Sequence, residues 1–317
     1  MTATPTPWMT NCAPVAWRGS RIFYNSLGTD GMFDGWSANA DGSDAVCLTD
    51  TVPVIGALGT ATNRGIGDVS PDGQWMLVTV EGEHVGTIGA EWTQPGKGGA
   101  NDVWLLSADG ESAWQLTQPT GLVSGVIWPR FGQSAQRIMW AQMTAIAMPG
   151  QALGHWQLQV ADFDASAHAI TSQKAVGPPN QFFEPYGFSP DGKSIICATS
   201  DGQSSIATDQ IGLMAIATGK FTPLTHNKVY NEFAFYTPGG KSIIFGQGSP
   251  KHLGMDYWSM NPDGSGPERL TFFNDTAYAD VETLAFDPAG SGRVAFTVAN
   301  DAQSQHCDGY VETLQTT

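Results

Sequence analysis

Basic residues are scarce in this chain: 14 lysines and arginines stand against 30 aspartates and glutamates, and the formal net charge at pH 7 is -16. Nucleic acids and anionic membranes attract proteins through lysine and arginine, so this imbalance argues against both as partners. Apolar runs long enough to span a bilayer are also missing. The first residues lack the basic segment and the apolar run of a signal peptide. We expect a cytoplasmic protein, or a periplasmic or secreted one if a signal peptide has been removed.

Several short motifs are absent too. The sequence contains no glycine-rich phosphate loop, no nucleophile elbow and no cysteines at zinc-site spacing, so nothing in it predicts an organic cofactor. Of the four cysteines, Cys47 and Cys197 fall within predicted strands as core residues. Cys12 and Cys307 would approach each other only if the two ends of the chain meet. No window shows sustained helical periodicity, which favours an all-β protein.

A four-residue turn is repeated along the chain. It reads Ser-Pro-Asp-Gly at 70–73 and at 189–192, and degraded copies begin at Thr237 and Asp287. Proline and glycine set the backbone dihedrals of such a turn, and strand-like apolar runs flank each copy. Each segment also closes on a Leu-Thr or Ile-Thr pair, and the spacing of these pairs leaves room for about four strands per repeat. Repeats of four antiparallel strands are typical of β-propeller blades.

The repeats predict a single all-β domain over residues 1–317, a six-bladed β-propeller of four-stranded antiparallel blades. The sixth repeat stops at a third strand, whereas residues 4–10 precede the first repeat and belong to none. We therefore expect this N-terminal strand to complete the last blade and close the ring, which leaves no exposed sheet edge. The predicted blades lie approximately at 11–50, 64–118, 122–172, 182–226, 230–272 and 280–317, with strand 4–10.

The turn proline aligns the repeats with one another. Six residues before it, at the start of the innermost strand, three blades carry a glutamate, namely Glu184, Glu232 and Glu282. Converging carboxylates repel one another, and either a bound cation or a raised pKa relieves the repulsion. We predict that the three hold a divalent cation, Ca²⁺ or Mn²⁺, or divide acid and base roles in catalysis. The alternative is that each glutamate faces water or caps the amides of a neighbouring blade.

The same alignment places long, unequal loops on the face opposite the short turns. Binding and catalysis usually occur on such loops, held by a rigid scaffold. Tyr186 and His84 are therefore further catalytic candidates, although each histidine taken singly is also consistent with an ordinary surface residue. The candidates for substrate binding in or near the central funnel are Asn231, Phe233, Phe235, Asp68, Trp92, His155 and His252.

The strings GDVSPDGQWMLV, YGFSPDGKSIIC and DYWSMNPDGSGPERLT resemble the PD-type repeats of TolB-like propellers, which are related to the WD type, and the likeness covers nearly the whole chain. That family includes periplasmic protein-interaction modules, N-terminal domains of peptidases and pectin-fragment lyases. The segments FFEPYGFSPDG and YNEFAFYTPGG are most similar to the oligogalacturonate-lyase-like branch. That branch holds a divalent metal with histidines on adjacent blades, and the matching positions here are Tyr186, Phe233 and Phe235, none of which replaces an imidazole ligand.

Three hypotheses about function follow. The first is an enzyme, a hydrolase or lyase, that acts on a small molecule or oligosaccharide in the funnel with the help of a cation. The second is a non-catalytic module whose long loops bind a protein or a glycan. The third is a funnel whose aromatic residues enclose an apolar small molecule. We expect a monomer with a small-molecule or glycan ligand.

Overall fold

Six antiparallel sheets form a ring in the computed structural model, which describes residues 6–50, 62–82, 98–118, 125–146, 154–200, 209–249, 252–275, 278–299 and 307–314. Within each sheet the strands pair in chain order. In the described part of the chain the only helical segment is a 3₁₀ turn, Phe273–Asp275, and no helix there could span a membrane.

Blade 1 contains β1 (Cys12–Arg18), β2 (Arg21–Leu27), β3 (Phe33–Asn39) and β4 (Val46–Cys47), and blade 2 contains β5 (Arg64–Val69), β6 (Trp75–Glu81), β7 (Asn101–Ser107) and β8 (Ala113–Gln115). Blade 3 contains β9 (Val126–Phe131), β10 (Arg137–Ala145), β11 (His155–Asp164) and β12 (Ala169–Val176), and blade 4 contains β13 (Phe182–Phe188), β14 (Ser194–Ser200), β15 (Gln210–Ala215) and β16 (Phe221–Pro223). Blade 5 contains β17 (Asn231–Tyr236), β18 (Ile243–Ser249), β19 (His252–Met260) and β20 (Glu268–Arg269), and blade 6 contains β21 (Asp280–Phe286), β22 (Arg293–Ala299) and β23 (Cys307–Thr313).

The first strand of each blade lies innermost. These strands contact one another in ring order, from β1 through β5, β9, β13, β17 and β21 and back to β1. The hydrophobic core is divided among the spaces between blades, since each large cluster of buried side chains is shared by adjacent blades. The predicted six-bladed propeller is therefore confirmed. None of the four cysteines, which all lie among the described residues, forms a disulfide.

The N-terminal segment closes the ring by pairing with the last strand. The amides of Trp8 and Met9 donate to the carbonyl of Gly309 at 2.8 and 3.2 Å, and the amide of Gly309 donates to the carbonyl of Met9 at 2.8 Å. The Trp8 ring then packs edge-on against Tyr24 of blade 1, with 5.5 Å between ring centroids. The N-terminus thus supplies the outer pairing that the three-stranded blade 6 lacks, as the sequence predicts.

Gly309 offers a test of this closure, because a Cβ there would lie 2.6 Å from the Cys12 sulfur and 3.2 Å from Pro14. We expect Gly309→Ala to lower the free energy of unfolding by about 1–3 kcal/mol, the usual cost of overpacking. Gly187→Ala is the matched control within a strand, since a Cβ at Gly187 meets nothing within 4 Å. Urea unfolding of the two variants measures the difference. Equal midpoints would contradict a tightly packed closure.

The repeated turn owes its sequence to a set of side-chain to backbone hydrogen bonds. The Ser189 hydroxyl donates to Asp191 at 2.7 Å and accepts the amide of Ser194 at 3.0 Å. Gly192 has a φ of 67°, the left-handed region that glycine enters without strain. The copy that begins at Ser70 makes the same bonds. Serine, aspartate and glycine therefore have structural roles in this turn.

The threonine that closes most repeats ties the outer strand to the third strand. In four blades its hydroxyl oxygen accepts a third-strand amide at 2.9 Å, and the four threonines are Thr49, Thr117, Thr225 and Thr271. In three of these blades the hydroxyl also donates to an aspartate at the start or middle of that strand, in the pairs Thr49–Asp34, Thr117–Asp102 and Thr271–Asp256. The repeated Leu-Thr pair thus marks a buried polar network that fixes the outer edge of the blade.

Candidate functional site

A β-bulge interrupts the innermost strand of every blade. In blades 3, 4 and 5 the bulge brings Trp128, Tyr186 and Phe233 out of the regular alternation of the strand. Trp128 and Phe233 have φ values of 50° and 51°, which large side chains adopt rarely. Such backbone strain is found mainly at functional sites. The bulges are also conspicuous because they bring three aromatic residues from three blades together.

These aromatic rings form a connected cluster. The ring centroids of Trp128 and Phe233 are 6.0 Å apart, and Tyr186 lies 5.9 Å from both Phe233 and Phe235. The Arg130 guanidinium completes the cluster, stacked over Trp128 at 5.4 Å and over Phe235 at 5.7 Å. Trp128 and Phe235 are partly exposed, so one side of the cluster can be reached from outside the core.

Glu184 and Glu232 meet next to this cluster. Each precedes the bulge of its strand and is paired with the next strand, Glu184 with Ala198 and Glu232 with Gly246. Each also lies six residues before its turn proline, so the two occupy equivalent positions on neighbouring blades. Their contact lowers the pKa of Glu184 and raises that of Glu232. Two carboxyl groups in contact favour a state in which one of them carries a proton. We infer that the pair holds one proton and a single negative charge.

The surroundings assign the proton to Glu232. Burial raises the pKa of both carboxyls, and the pKa of Glu232 is raised further by the negative charge of Glu184. The indole N–H of Trp128 donates to Glu184 and favours its ionised form. Tyr230 is hydrogen-bonded to Glu232 on the other side. Glu184 is thus the carboxylate of the pair, and Glu232 is the carboxylic acid.

Tyr186 lies beside Glu184 and is only 3% exposed. Its hydroxyl is close enough to the Glu184 carboxylate to lower the pKa of that group. Burial, together with the negative charge of the glutamate pair, raises its pKa well above the usual value, so the phenol stays protonated.

Two further acids surround the pair. The charge of Asp209 raises the pKa of Glu184, and that of Asp280 contributes to raising the pKa of Glu232. Burial raises the pKa of Asp280 itself to about 6. The nearby cation, Arg130, is 5% exposed and donates to the carbonyl of Gly67 at 2.7 Å. Among the residues that the structure describes, four acids thus act on one another here.

Glu282 does not join the other two glutamates. It lies in the bulge of β21, between the paired residues Val281 and Leu284, and the sulfur of Cys307 is 3.9 Å from each of its carboxyl oxygens. The bulge of β21 is one residue further from its turn than the bulge of β17. The residue six positions before the turn proline therefore precedes the bulge in β17 but lies within the bulge in β21. Because a one-residue shift reverses the face of a strand, Glu282 has a different orientation from Glu232.

The predicted ligand set of Glu184, Glu232 and Glu282 is therefore not assembled. Among the described residues no group of three histidine, cysteine, aspartate or glutamate side chains is arranged to hold a metal ion. A cation held by Glu184 and Glu232 alone would first have to displace the proton that they share.

The remaining sequence candidates are dispersed. Asp68 accepts hydrogen bonds from Arg18 at 3.3 Å and from the amide of Phe131 at 3.0 Å, and it thereby links blades 1, 2 and 3. Asn231 is buried, and its side-chain amide donates to two backbone carbonyls at the entry to β17. These contacts give both residues a structural role. His155 and His252 begin β11 and β19, whereas His84 and Trp92 lie outside the described residues.

Sequence reasoning missed Trp128, Arg130 and Tyr230. Blade 3 has Arg130-Phe131-Gly132-Gln133 where other blades have the proline turn, so the position equivalent to Phe233 could not be counted. To predict the contact between Trp128 and Glu184, one would also have had to know the order of the blades around the ring. Tyr230 precedes its strand and falls outside the repeat altogether.

No protein-family model matches the chain, and no curated protein matches its sequence. Solved structures do match. TolB from Acinetobacter baumannii has a TM-score of 0.61 at 14% identity, over 93% of this chain and 64% of that one. A puromycin hydrolase S511A mutant complexed with PGG has a TM-score of 0.59 at 15% identity, over 94% and 44%. Oligogalacturonate lyase in complex with manganese has a TM-score of 0.56 at 10% identity, over 95% and 78%.

The chain thus spans about two thirds of the matched TolB and less than half of the matched puromycin hydrolase. Identities this low describe the fold and leave the activity open. The structure and these likenesses agree on the fold, a six-bladed β-propeller.

Proposed function

We propose that this propeller is an enzyme, a hydrolase or lyase, that performs general acid–base chemistry on a small molecule or oligosaccharide bound against Glu184 and Glu232. The observation that carries the proposal is the proton-sharing pair of carboxyls. One proton held between the buried carboxyl of Glu184 and the partly exposed carboxyl of Glu232 provides an acid and a base side by side. Structural ion networks seldom need such a pair, because a buried carboxyl without a cationic partner is destabilising.

The two glutamates have different environments and hence different roles. Glu184 accepts the Trp128 N–H and is suited to take a proton from the substrate or from a water molecule. Glu232 holds its proton at a pKa raised by burial and by Glu184, and it is suited to protonate a leaving group. Both carboxyls have pKa values shifted towards neutral pH, where acid and base catalysis are most effective. Glu232 is partly exposed and can therefore meet a ligand.

The structural neighbours support an enzyme without specifying its reaction. Oligogalacturonate lyase is an enzyme on the same fold, and its structure contains manganese. The positions that the sequence aligns with its metal-binding histidines are aromatic here, and they form the wall next to the glutamate pair. We therefore place the proton transfers on the two carboxyls. A puromycin-hydrolase type of reaction has weaker support, since the chain matches under half of that enzyme and lacks a nucleophile elbow.

Turnover by the purified protein tests this proposal. The wild type is incubated with neutral, cationic and anionic oligosaccharides, esters and amides, with and without a chelator, and products are followed by mass spectrometry. For any substrate turned over, we expect Glu184→Gln to reduce the rate by about 10²–10⁴-fold, the usual contribution of a general base. Glu111→Gln, in an exposed turn, is the control and should retain the rate.

Three results would contradict the proposal. Turnover that is unchanged in Glu184→Gln would place the chemistry elsewhere in the chain. Saturable ligand binding without product formation, for every compound in the panel, would instead favour the non-catalytic binding module. Turnover that is lost with the chelator and restored by Mn²⁺ or Ca²⁺ would show that the reaction depends on a bound cation and not on a proton-sharing pair.

A further inference from the structure

We propose that a cleft between blades 2 and 3 binds a neutral oligosaccharide, at a site separate from the glutamate pair. The cleft has a volume of about 680 Å³, within the usual range of ligand sites. Its walls come from the turn between β5 and β6 of blade 2 and from two turns of blade 3, between β9 and β10 and between β11 and β12. It therefore lies on the short-turn side of the ring, whereas Glu184 and Glu232 lie near the opposite ends of their strands.

The turn between the third and fourth strands of blade 3 differs from its counterparts in other blades. In blades 2, 4 and 5 this turn has a glycine at positive φ, namely Gly110, Gly219 and Gly264. A Cβ at these glycines would lie only 2.6 to 3.1 Å from a backbone atom of the preceding blade. Blade 3 has His168 in the corresponding turn, with a φ of 51°. A side chain does not fit in so close a contact, which leaves the space of the cleft at this junction.

Trp75 forms the aromatic wall of the cleft and is held in place by two other rings. His168 stacks on Trp114 with 3.8 Å between ring centroids. Trp75 meets both of these rings edge-on, at 5.8 Å from Trp114 and 5.2 Å from His168. Trp75 is half-buried, so part of its indole is open to the cleft that it lines. A ring that is fixed in advance can pack against the C–H face of a sugar at little cost in side-chain entropy.

The polar groups around this ring are suited to bind sugar hydroxyls. Carboxylates accept O–H donors, and the hydroxyls of serine and threonine both donate and accept. The cleft is lined by carboxylates and hydroxyls from both blades, among them Asp72, Asp162, Asp164, Ser134 and Thr171. Asp72 and Asp164 each use Oδ1 to hold their own turns, which fixes the position of the second oxygen. Ordered acceptors beside a fixed aromatic ring therefore favour a polyhydroxylated ligand.

The charges of the cleft favour a neutral ligand. Of the residues that line it, Arg137 alone is basic, and its guanidinium already donates to the carbonyl of Gly192 at 3.0 Å and stacks over Phe188 at 5.3 Å. An acidic sugar would be repelled by the three aspartates, and an apolar molecule would bury them without hydrogen bonds. A metal ion has less support, since no three acids in the described part of the chain are arranged to hold one. A neutral oligosaccharide matches both the carboxylates and the indole.

Calorimetric titration of the purified protein tests the inference independently of catalysis. The probes are cellohexaose, xylohexaose, mannohexaose and maltohexaose, with trigalacturonate and trialanine as comparisons. We expect saturable binding of a neutral oligosaccharide and no binding of trigalacturonate or trialanine. Trp75→Ala should weaken the binding by about tenfold or more, the usual effect of truncating a central aromatic residue of an interface.

Filling the cleft from its rim gives a second variant that leaves the core untouched. Ala165 is exposed and lines the cleft, so Ala165→Trp should abolish the binding. Ala217→Trp is the matched control, since Ala217 is exposed in the corresponding turn of blade 4 and lies away from the cleft. Urea unfolding verifies that each variant folds. The inference is wrong if no neutral oligosaccharide binds, if trigalacturonate or trialanine binds as tightly, or if the binding survives in Ala165→Trp.

The outcomes separate this inference from the proposed function, on which it does not rest. Glu184→Gln should leave the affinity for the oligosaccharide unchanged, because the two sites lie at opposite ends of the blades. Binding that is lost in Glu184→Gln and kept in Ala165→Trp would place the sugar at the glutamate pair and overturn the inference. Binding in the cleft without turnover of any compound would uphold the inference and contradict the enzyme. Turnover that depends on Glu184, without binding in the cleft, would do the reverse.

Discussion

Glu232→Gln should unfold at a higher denaturant concentration than the wild type in alkaline solution. The pKa of Glu232 in the folded protein lies well above the ordinary value of 4.5, because burial and the charge of Glu184 favour the acid form. Between these two pKa values the folded state binds more protons than the unfolded state, so wild-type stability falls as the pH rises. Glutamine is neutral at every pH, so the variant does not lose stability in this way as the pH rises. Its side-chain amide also preserves a hydrogen bond to Glu184.

The expected difference grows with pH. At pH 4 the two proteins should have similar free energies of unfolding, since Glu232 is protonated in both states below its ordinary pKa. By pH 9 we expect the variant to be measurably more stable, because only the wild type has a buried carboxyl that rising pH drives towards its charged form. Urea unfolding at a series of pH values measures this. Glu111→Gln, exposed in its turn, should follow the wild-type curve throughout.

The comparison with the wild type isolates Glu232 from other buried acids. Burial also raises the pKa of Asp102 and of Asp280 to about 6 each, and both groups weaken the protein in the same direction as the pH rises. The effect of Asp102 is common to both proteins and cancels in the difference, whereas Asp280 acts on Glu232 and belongs to the same coupled site. A difference that is flat with pH would mean that Glu232 is ionised in the folded state, and that the pair does not share a proton. A more stable but inactive variant is the usual mark of a functional residue.

Asp256→Ala should cause the largest loss of stability among substitutions outside the site. Asp256 in β19 is 3% exposed. Its Oδ1 accepts the hydroxyl of Thr271 and the amide of Phe273, each at 2.8 Å. Its Oδ2 accepts Arg269 at 2.8 Å and the side-chain amide of Asn274 at 3.2 Å. Alanine would leave these donors without their acceptor inside blade 5.

We expect the free energy of unfolding to fall by about 3–5 kcal/mol, the range for removing one partner of a buried charged network. Asp263→Ala is the matched control in the same blade, since Asp263 lies in the exposed turn and binds only Ser265 among the described residues. It should change stability far less. Equal losses in the two variants would show that the Thr–Asp network contributes no more than an ordinary turn.

The fold could be predicted because its signals are local. The Ser189 and Asp191 side chains close the turn within a few residues, and Thr271 reaches only as far as the neighbouring strand. Each repeat therefore carries its own blade in its sequence. The closure by the N-terminus followed from counting strands, because blade 6 lacks one.

The candidate site could be predicted only in part. Counting residues back from the turn proline was enough to predict that Glu184 and Glu232 converge, because both residues precede the bulge in their strands. The same count misplaced Glu282, whose strand bulges one residue further from the turn. A bulge leaves little trace in a single sequence, since it depends on how two strands pair. Trp128 was hidden because the turn of blade 3 has lost its proline.

The sequence by itself determined the turns, the number of repeats and the order of the blades, since these depend on contacts between residues close in the chain. Only the tertiary structure decided that two of the three glutamates share a proton beside Trp128, 56 residues from Glu184. The physical reason is that a raised pKa depends on burial and on charges from other blades. Neither quantity exists until the ring has closed.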